Sequence, residues 1–289
     1  MASAKGTKGM WGTRQLSGER MPEVQANGIQ IHYQTGGAGQ RVLFISGTGG
    51  DLRVRPNVLD GPLAASRRVI AYDQRGLGQT GKPEGPYSMA QYADDAAGLL
   101  DALDLRQVDV VGVSFGGMVA QHLALQHPDR IHRLVLCCTS PGGAMPSFPF
   151  HELPEGIDAV DRMLRLMAVS DVRRDAAWQA ANPERVQKMI DITRAGVIAD
   201  HATPEYQRGY REQLLARAGH DTLDRLSLLD LPTLICAGRY DGIAPPENQE
   251  KLHQLIPGSA LRWFEGGHLF LVQDKTAWPE IIAWIDRVD

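Results

Sequence analysis

Cysteine is scarce. Cys137, Cys138 and Cys236 are the three in 289 residues, an odd number without metal-ligand spacing, which argues against both a disulfide framework and a zinc site. All three sit in apolar, strand-like runs and read as buried, reduced thiols of a cytoplasmic protein. Long apolar runs are missing as well. No stretch could span a bilayer, and Met1 to Arg20 has charges and glycines but no continuous apolar core, so it is not read as a secretory signal. Neither sign of charge dominates. A net charge of −4 makes no electrostatic case for nucleic acid or for an anionic membrane as partner. There is no internal repeat and no low-complexity tract. What remains is an ordinary globular composition, 43% hydrophobic and 22% charged, in a chain long enough for one large domain or a domain carrying an insertion. Oligomeric state is not legible.

The rest of the chain is organised around Val111-Gly112-Val113-Ser114-Phe115-Gly116-Gly117, which reads Gly-x-Ser-x-Gly. Val108 to Val113 is a short valine-rich run that suits a buried strand, and Met118 to Gln126 has apolar positions at helical spacing. A serine between the two must make a very tight turn, which the flanking glycines permit because a Cβ would collide there. Its hydroxyl then stands above the sheet at the positive end of a helix.

Upstream, Met1 to Pro22 is polar and without period, and reads as a flexible tail. Gly28 to Gln34 alternates as a partly exposed antiparallel edge strand. Val42 to Ile45 is a buried strand running into Ser46-Gly47-Thr48-Gly49-Gly50-Asp51. Such a loop aims backbone N–H groups into a cavity and suits a phosphate or a developing oxyanion. It lacks the Gly-x-x-x-x-Gly-Lys-Ser/Thr spacing of a nucleotide loop, and the later serine motif favours the oxyanion. Arg68 to Tyr72 is a further strand. Asp73 and Arg75 after it read as turn-holding residues rather than site residues. Met89 to Leu103 is an amphipathic helix behind the N-cap Ser88. Arg133 to Thr139 is another strand.

Strands and helices thus alternate with short links, which predicts an α/β fold with a mostly parallel sheet covered by helices on both faces. The alternation breaks at Ser140 to Pro154, and residues 157–226 read as helical throughout. The expected organisation is a core of residues 23–140 and 227–289 with a helical cap at 141–226. Sheet strands resume at Thr233 to Ala237 and Ala260 to Phe264. Helices are expected near Asn248 to Leu255 and Trp278 to Arg287.

A serine hydroxyl needs a base, and the base needs a partner to fix its tautomer. Of nine histidines, His268 stands apart, in Gly266-Gly267-His268 just past the last strand, where an open α/β sheet places its ligands. Asp241 likewise follows a strand, although an aspartate before glycine is also a common turn. The order Ser114, Asp241, His268 is the order that accompanies this elbow.

These motifs resemble the α/β-hydrolase fold superfamily from about Val24 onward. The resemblance implies an eight-stranded, mostly parallel sheet with a helical cap inserted after the sixth strand. It implies an oxyanion hole from the backbone N–H groups of Phe115 and Thr48, although Ser46 stands where many relatives have His. Asp73-Gln74-Arg75-Gly76-Leu77-Gly78 is similar to that family's Asp-x-Arg-Gly-x-Gly turn. No metal or organic cofactor is implied. The loop from Gly47 to Arg53 is similar to that of 3-oxoadipate enol-lactonases, which implies an ester or lactone substrate with an anionic group on Arg53 or Arg55. Candidate substrate contacts are Gly47, Gly49, Arg53, Met145, Trp178 and Leu269. Met145, Phe148, Phe150, Leu166 and Trp178 fit a cap core as well as they fit a substrate wall. Carbon–carbon hydrolases of ring-cleavage products form the alternative. They often place Trp after the base, where this chain has Leu269. A binding protein of the same fold is a third reading. Dehalogenases and epoxide hydrolases use an aspartate nucleophile, so Ser114 speaks against them.

Overall fold

A computed structural model describes residues 22–154 and 156–287. The tail read for Met1 to Pro22 therefore lies, apart from Pro22, outside the described residues. In chain order the strands are β1 (Glu23–Ala26), β2 (Ile29–Gly36), β3 (Arg41–Ile45), β4 (Arg68–Tyr72), β5 (Val108–Val113), β6 (Ile131–Cys137), β7 (Thr233–Gly238) and β8 (Ala260–Phe264). They form one eight-stranded sheet in the order β1-β2-β4-β3-β5-β6-β7-β8. Pairing is antiparallel from β1 through β2 to β4, and parallel elsewhere.

The edge differs from expectation. β2 is an inner strand, and the edge is β1, a four-residue strand none of whose residues is fully buried. So short and so exposed a segment shows too little apolar alternation to be seen in the sequence. The central strands behave as expected. β7 is buried at every position, and β5 at all but its last, because helices cover both faces.

Alternate side chains of each strand feed two apolar layers. On one face Leu43, Ile45, Val110, Leu134, Leu136 and Ile235 pack against α2 (Met89–Ala102) and α3 (Phe115–Gln126). On the other, Val42, Val111, Val135 and Leu234 join Leu63 of a short helix, α1 (Pro62–Ser66), and a C-terminal helix (Ala277–Ile285). α2 starts at a capping box: Gln91 N–H bonds to the Ser88 hydroxyl, and the Gln91 side chain returns to Ser88 N–H. All three cysteines are buried and free, with Cys137 beside Cys236 across β6 and β7.

Between β6 and β7 the chain is helical: α4 (Ala159–Ser170), α5 (Ala176–Ala181), α6 (Pro183–Ala195) and α7 (Pro204–Ala218). Then α8 (Pro246–Leu255) follows β7, and α9 (Phe270–Gln273) and α10 (Ala277–Ile285) close the chain. No helix among the described residues is long and apolar enough to cross a membrane.

Candidate active site

Ser114 occupies the single residue between β5 and α3, at φ 55° and ψ −116°. Few non-glycine residues tolerate positive φ, and this one is held from several sides. Its N–H donates to the Cys137 carbonyl at 2.8 Å, and its carbonyl accepts from the Thr139 hydroxyl at 2.8 Å. The neighbouring chain passes so close that a Cβ on Gly116 would lie 2.0 Å from the Ile45 carbonyl oxygen.

The structure brings Ser114, His268 and Asp241 together. His268 Nε2 lies 2.9 Å from Ser114 Oγ, and His268 Nδ1 lies 2.8 Å from Asp241 Oδ2. A carboxylate only accepts, so Nδ1 carries the proton and Nε2 is left to accept from the serine hydroxyl. Asp241 is anchored through Oδ1 by the N–H groups of Ile243 and Ala244, at 2.8 and 3.0 Å. Ser114 and Asp241 are buried, at 6% and 3% exposed. Cys138 lines the same spot, its sulfur within 4.8 Å of Asp241 and His268 ligand atoms. Burial holds its thiol well above its ordinary pKa, so it stays protonated.

The end of α4 braces both loops. Gly242 N–H donates to the Val169 carbonyl at 2.9 Å, and His268 N–H donates to the Ser170 carbonyl at 2.6 Å. A Cβ on Gly267 would lie 2.0 Å from that same Ser170 oxygen, so the histidine loop must be bare there. Sequence reasoning did not foresee this brace, because backbone-to-backbone contacts leave no side-chain signal.

The glycine-rich loop lies over the serine: a Cβ on Gly47 would stand 3.5 Å from the Cβ of Ser114. Gln74 donates to the Ser46 carbonyl at 2.8 Å. From α7, Gln213 accepts from Gly49 N–H at 2.8 Å and Arg217 donates to the Thr48 hydroxyl at 2.9 Å. Phe115 opens α3, so its N–H is among the first-turn donors that a helix cannot use internally.

The other expected contacts fall differently. Arg53 is already paired with Asp51 at 2.8 Å and with Asp200, and Arg55 with Asp60, so neither offers an unopposed charge to a substrate anion. Asp51 also accepts from His201 at 2.9 Å. Burial works to raise its pKa, but hydrogen bonds from Arg53 and His201 outweigh burial and hold it at about 2. Trp178 lies on α5 with the Arg174 guanidinium 5.6 Å over its ring. Met145 closes a tight turn on Gly142, and Leu269, next to His268, is 47% exposed. Asp73 and Arg75 are structural: Asp73 binds the N–H groups of Leu52 and Gln79, and Arg75 pairs with buried Asp95.

Comparison with known proteins agrees with this architecture. A sequence model of the alpha/beta hydrolase fold family matches residues 40–275. A 2-hydroxymuconate semialdehyde hydrolase of Pseudomonas sp. (strain CF600) is 42% identical over 274 residues, covering 90% of this chain and 92% of that protein. A poly(3-hydroxyalkanoate) depolymerase of Ectopseudomonas oleovorans is 31% identical, covering 83% of this chain and 82% of that one. Among solved structures, the enol-lactonase of Burkholderia xenovorans LB400 superposes with a TM-score of 0.75 at 23% identity, over 92% of this chain and 100% of that one, which shows a shared fold. The chain belongs to the alpha/beta hydrolase fold family.

Proposed function

We propose that the chain is a serine hydrolase that opens a carboxylic ester or lactone through an acyl-enzyme, with Ser114 as nucleophile, His268 as base and Asp241 orienting the base. The observation that carries this reading is the unbroken hydrogen-bonded line from Asp241 through His268 to Ser114. In this reading His268 takes the hydroxyl proton as Ser114 Oγ attacks the carbonyl carbon. The resulting oxyanion is held by the N–H groups of Phe115 and Thr48, each worth about 10²–10³ in rate. His268 returns the proton to the departing oxygen, then activates water to release the acid. Residues 141–226 serve as the cap over this chemistry, and no step calls for a metal or organic cofactor.

A second reading has its own support. The relative at 42% identity is named for a 2-hydroxymuconate semialdehyde substrate, which favours hydrolysis of a carbon–carbon bond beside an aldehyde carbonyl. The same three residues would serve, with the proton delivered to carbon. Leu269, where such hydrolases often carry Trp, weighs toward the ester or lactone.

A fluorophosphonate probe followed by a substrate panel tests both. Labelling at Ser114 that disappears in Ser114→Ala is expected, and folded protein that resists the probe would point to a binding protein instead. Turnover of p-nitrophenyl esters and lactones, with none of 2-hydroxymuconate semialdehyde, is expected. The reverse pattern would replace the first reading by the second.

A further inference from the structure

Arg217, on α7, is a buried charged side chain that the chemistry above does not use. It is 6% exposed. Its Nη1 donates to the Thr48 hydroxyl at 2.9 Å and its Nη2 to the Ser147 hydroxyl at 2.8 Å. The guanidinium lies 4.7 Å over the Phe150 ring. Its Nε is buried and has no partner. Among the described residues, no carboxylate pairs with it. Burial lowers its pKa to about 10, so at neutral pH it still holds a full charge away from water. The carboxylate of Asp241 acts on it only from beyond contact distance, and a buried cation with no carboxylate in contact is costly to keep.

Arg217 also lines a cleft of about 580 Å³ together with Met118, Ser140, Ser147 and Phe148. Arg217 links the cleft to the candidate site: it lines the one and bonds Thr48, in the loop over Ser114, in the other. The acidic residues that line the cleft, Glu152 and Asp221, are exposed, whereas Arg217 is buried.

We propose that Arg217 is the anion-recognition residue of this site, and that with the Thr48 and Ser147 hydroxyls it takes a free carboxylate carried by the substrate away from the reacting carbonyl. The inference rests on reading Ser114 as a hydrolytic nucleophile and narrows the substrates to carboxylate-bearing compounds. The donor count fits. A guanidinium has five N–H donors, and two are spent on hydroxyls. Each hydroxyl accepts from Arg217 and keeps its own O–H for the anion. Such charge-assisted bonds gain strength where water is excluded. Arg217 takes the role that Arg53 and Arg55 lose to their carboxylate partners.

The test uses matched ester pairs. Mono-4-nitrophenyl succinate, glutarate and adipate carry a carboxylate, and 4-nitrophenyl butanoate, pentanoate and hexanoate lack it. The readout is the ratio of kcat/KM, acid over neutral, in wild type, Arg217→Met and Arg217→Lys. The wild type is expected to favour the acid at one chain length, and Arg217→Met to lower that ratio about 100-fold, mainly through KM, with partial recovery in Arg217→Lys. If Arg217 only braced Thr48 and the loop above Ser114, both members of each pair would fall together and the ratio would hold, which overturns the proposal. Should no ester be turned over, the hydrolytic reading fails separately. Calorimetric titration of glutarate and adipate into Ser114→Ala then decides the subsite. Binding that vanishes on adding Arg217→Met supports it, and absence of binding overturns it.

Discussion

His268 and Asp241 meet at 2.8 Å through Nδ1 and Oδ2, while the other oxygen of Asp241 is taken by two backbone N–H groups. The carboxylate is thus fixed from behind and has one lobe to offer the ring. Asp241→Asn keeps the shape and can keep the backbone bonds through its amide oxygen. It turns an NH₂ toward Nδ1, which forces the ring proton onto Nε2, where it can no longer accept from Ser114. Turnover is expected to fall about 10³–10⁴-fold with KM little changed. Steady-state kinetics beside a melting curve check this, and a loss under tenfold in folded protein would remove Asp241 from its orienting role.

Gly116 has no room for a methyl group, since a Cβ there would lie 2.0 Å from the Ile45 carbonyl oxygen. That carbonyl belongs to β3, a central strand that cannot yield without disturbing its pairing with β5. Gly116→Ala is expected to push the start of α3 off the sheet, to cost about 2–4 kcal/mol in urea unfolding, and to abolish labelling of Ser114. A variant that unfolds at the wild-type midpoint and still labels would show that the elbow is not tightly packed.

Asp51 ties the glycine-rich loop to the inserted helices through Arg53 and His201. Its pKa is held at about 2, below the value near 3.8 of a free carboxyl. A depressed carboxylate adds stability above the unfolded-state pKa and loses it as pH falls through the folded one. The window is therefore from about pH 4 to pH 2, and the size is about 2 kcal/mol at neutral pH. Asp51→Asn should lower stability at pH 7 by about that amount and lose less than wild type between pH 4 and pH 2. Equal acid sensitivity in the two proteins would mean that the Arg53 and His201 bonds do not favour the charged form.

Much of this was legible in the residues. The serine turn, the two loops bearing Asp241 and His268, and the alternating strands each carry a local signature, because tight turns demand glycine and buried strands demand short apolar runs. Arg217 carries none. The segment Pro204–Ala218 is polar on most sides, so its arginine reads as a solvated surface charge until Thr48 and Ser147 are seen beside it. Arg53 misled in the opposite direction. In the sequence it is a cation in a site loop, and only the fold shows Asp200, far along the chain, already paired with it. Edge strand β1 carries little signal because only two of its four residues, Val24 and Ala26, pack against the core, and neither is fully buried.

His122 and His220 form the last measurable consequence. His220 Nε2 donates to the Ser140 carbonyl at 2.9 Å, so its Nδ1 is an acceptor, and His122 Nε2 stands 3.2 Å from it as donor. Both rings are neutral in this arrangement. Burial lowers the pKa of His122 to about 4 and that of His220 to about 3. In the unfolded chain each titrates near 6.5. Between pH 6.5 and pH 4 the unfolded state therefore binds more protons, and stability must fall as pH falls. At pH 5 the loss is about 2 kcal/mol for each ring. His122→Gln combined with His220→Gln removes the titration while leaving an amide to reach the Ser140 carbonyl. Urea midpoints at pH 7 and pH 5 are expected to differ less in this variant than in wild type, whatever its stability at pH 7. Because all other groups titrate alike in both proteins, an unchanged difference would mean that the two rings accept protons inside the fold.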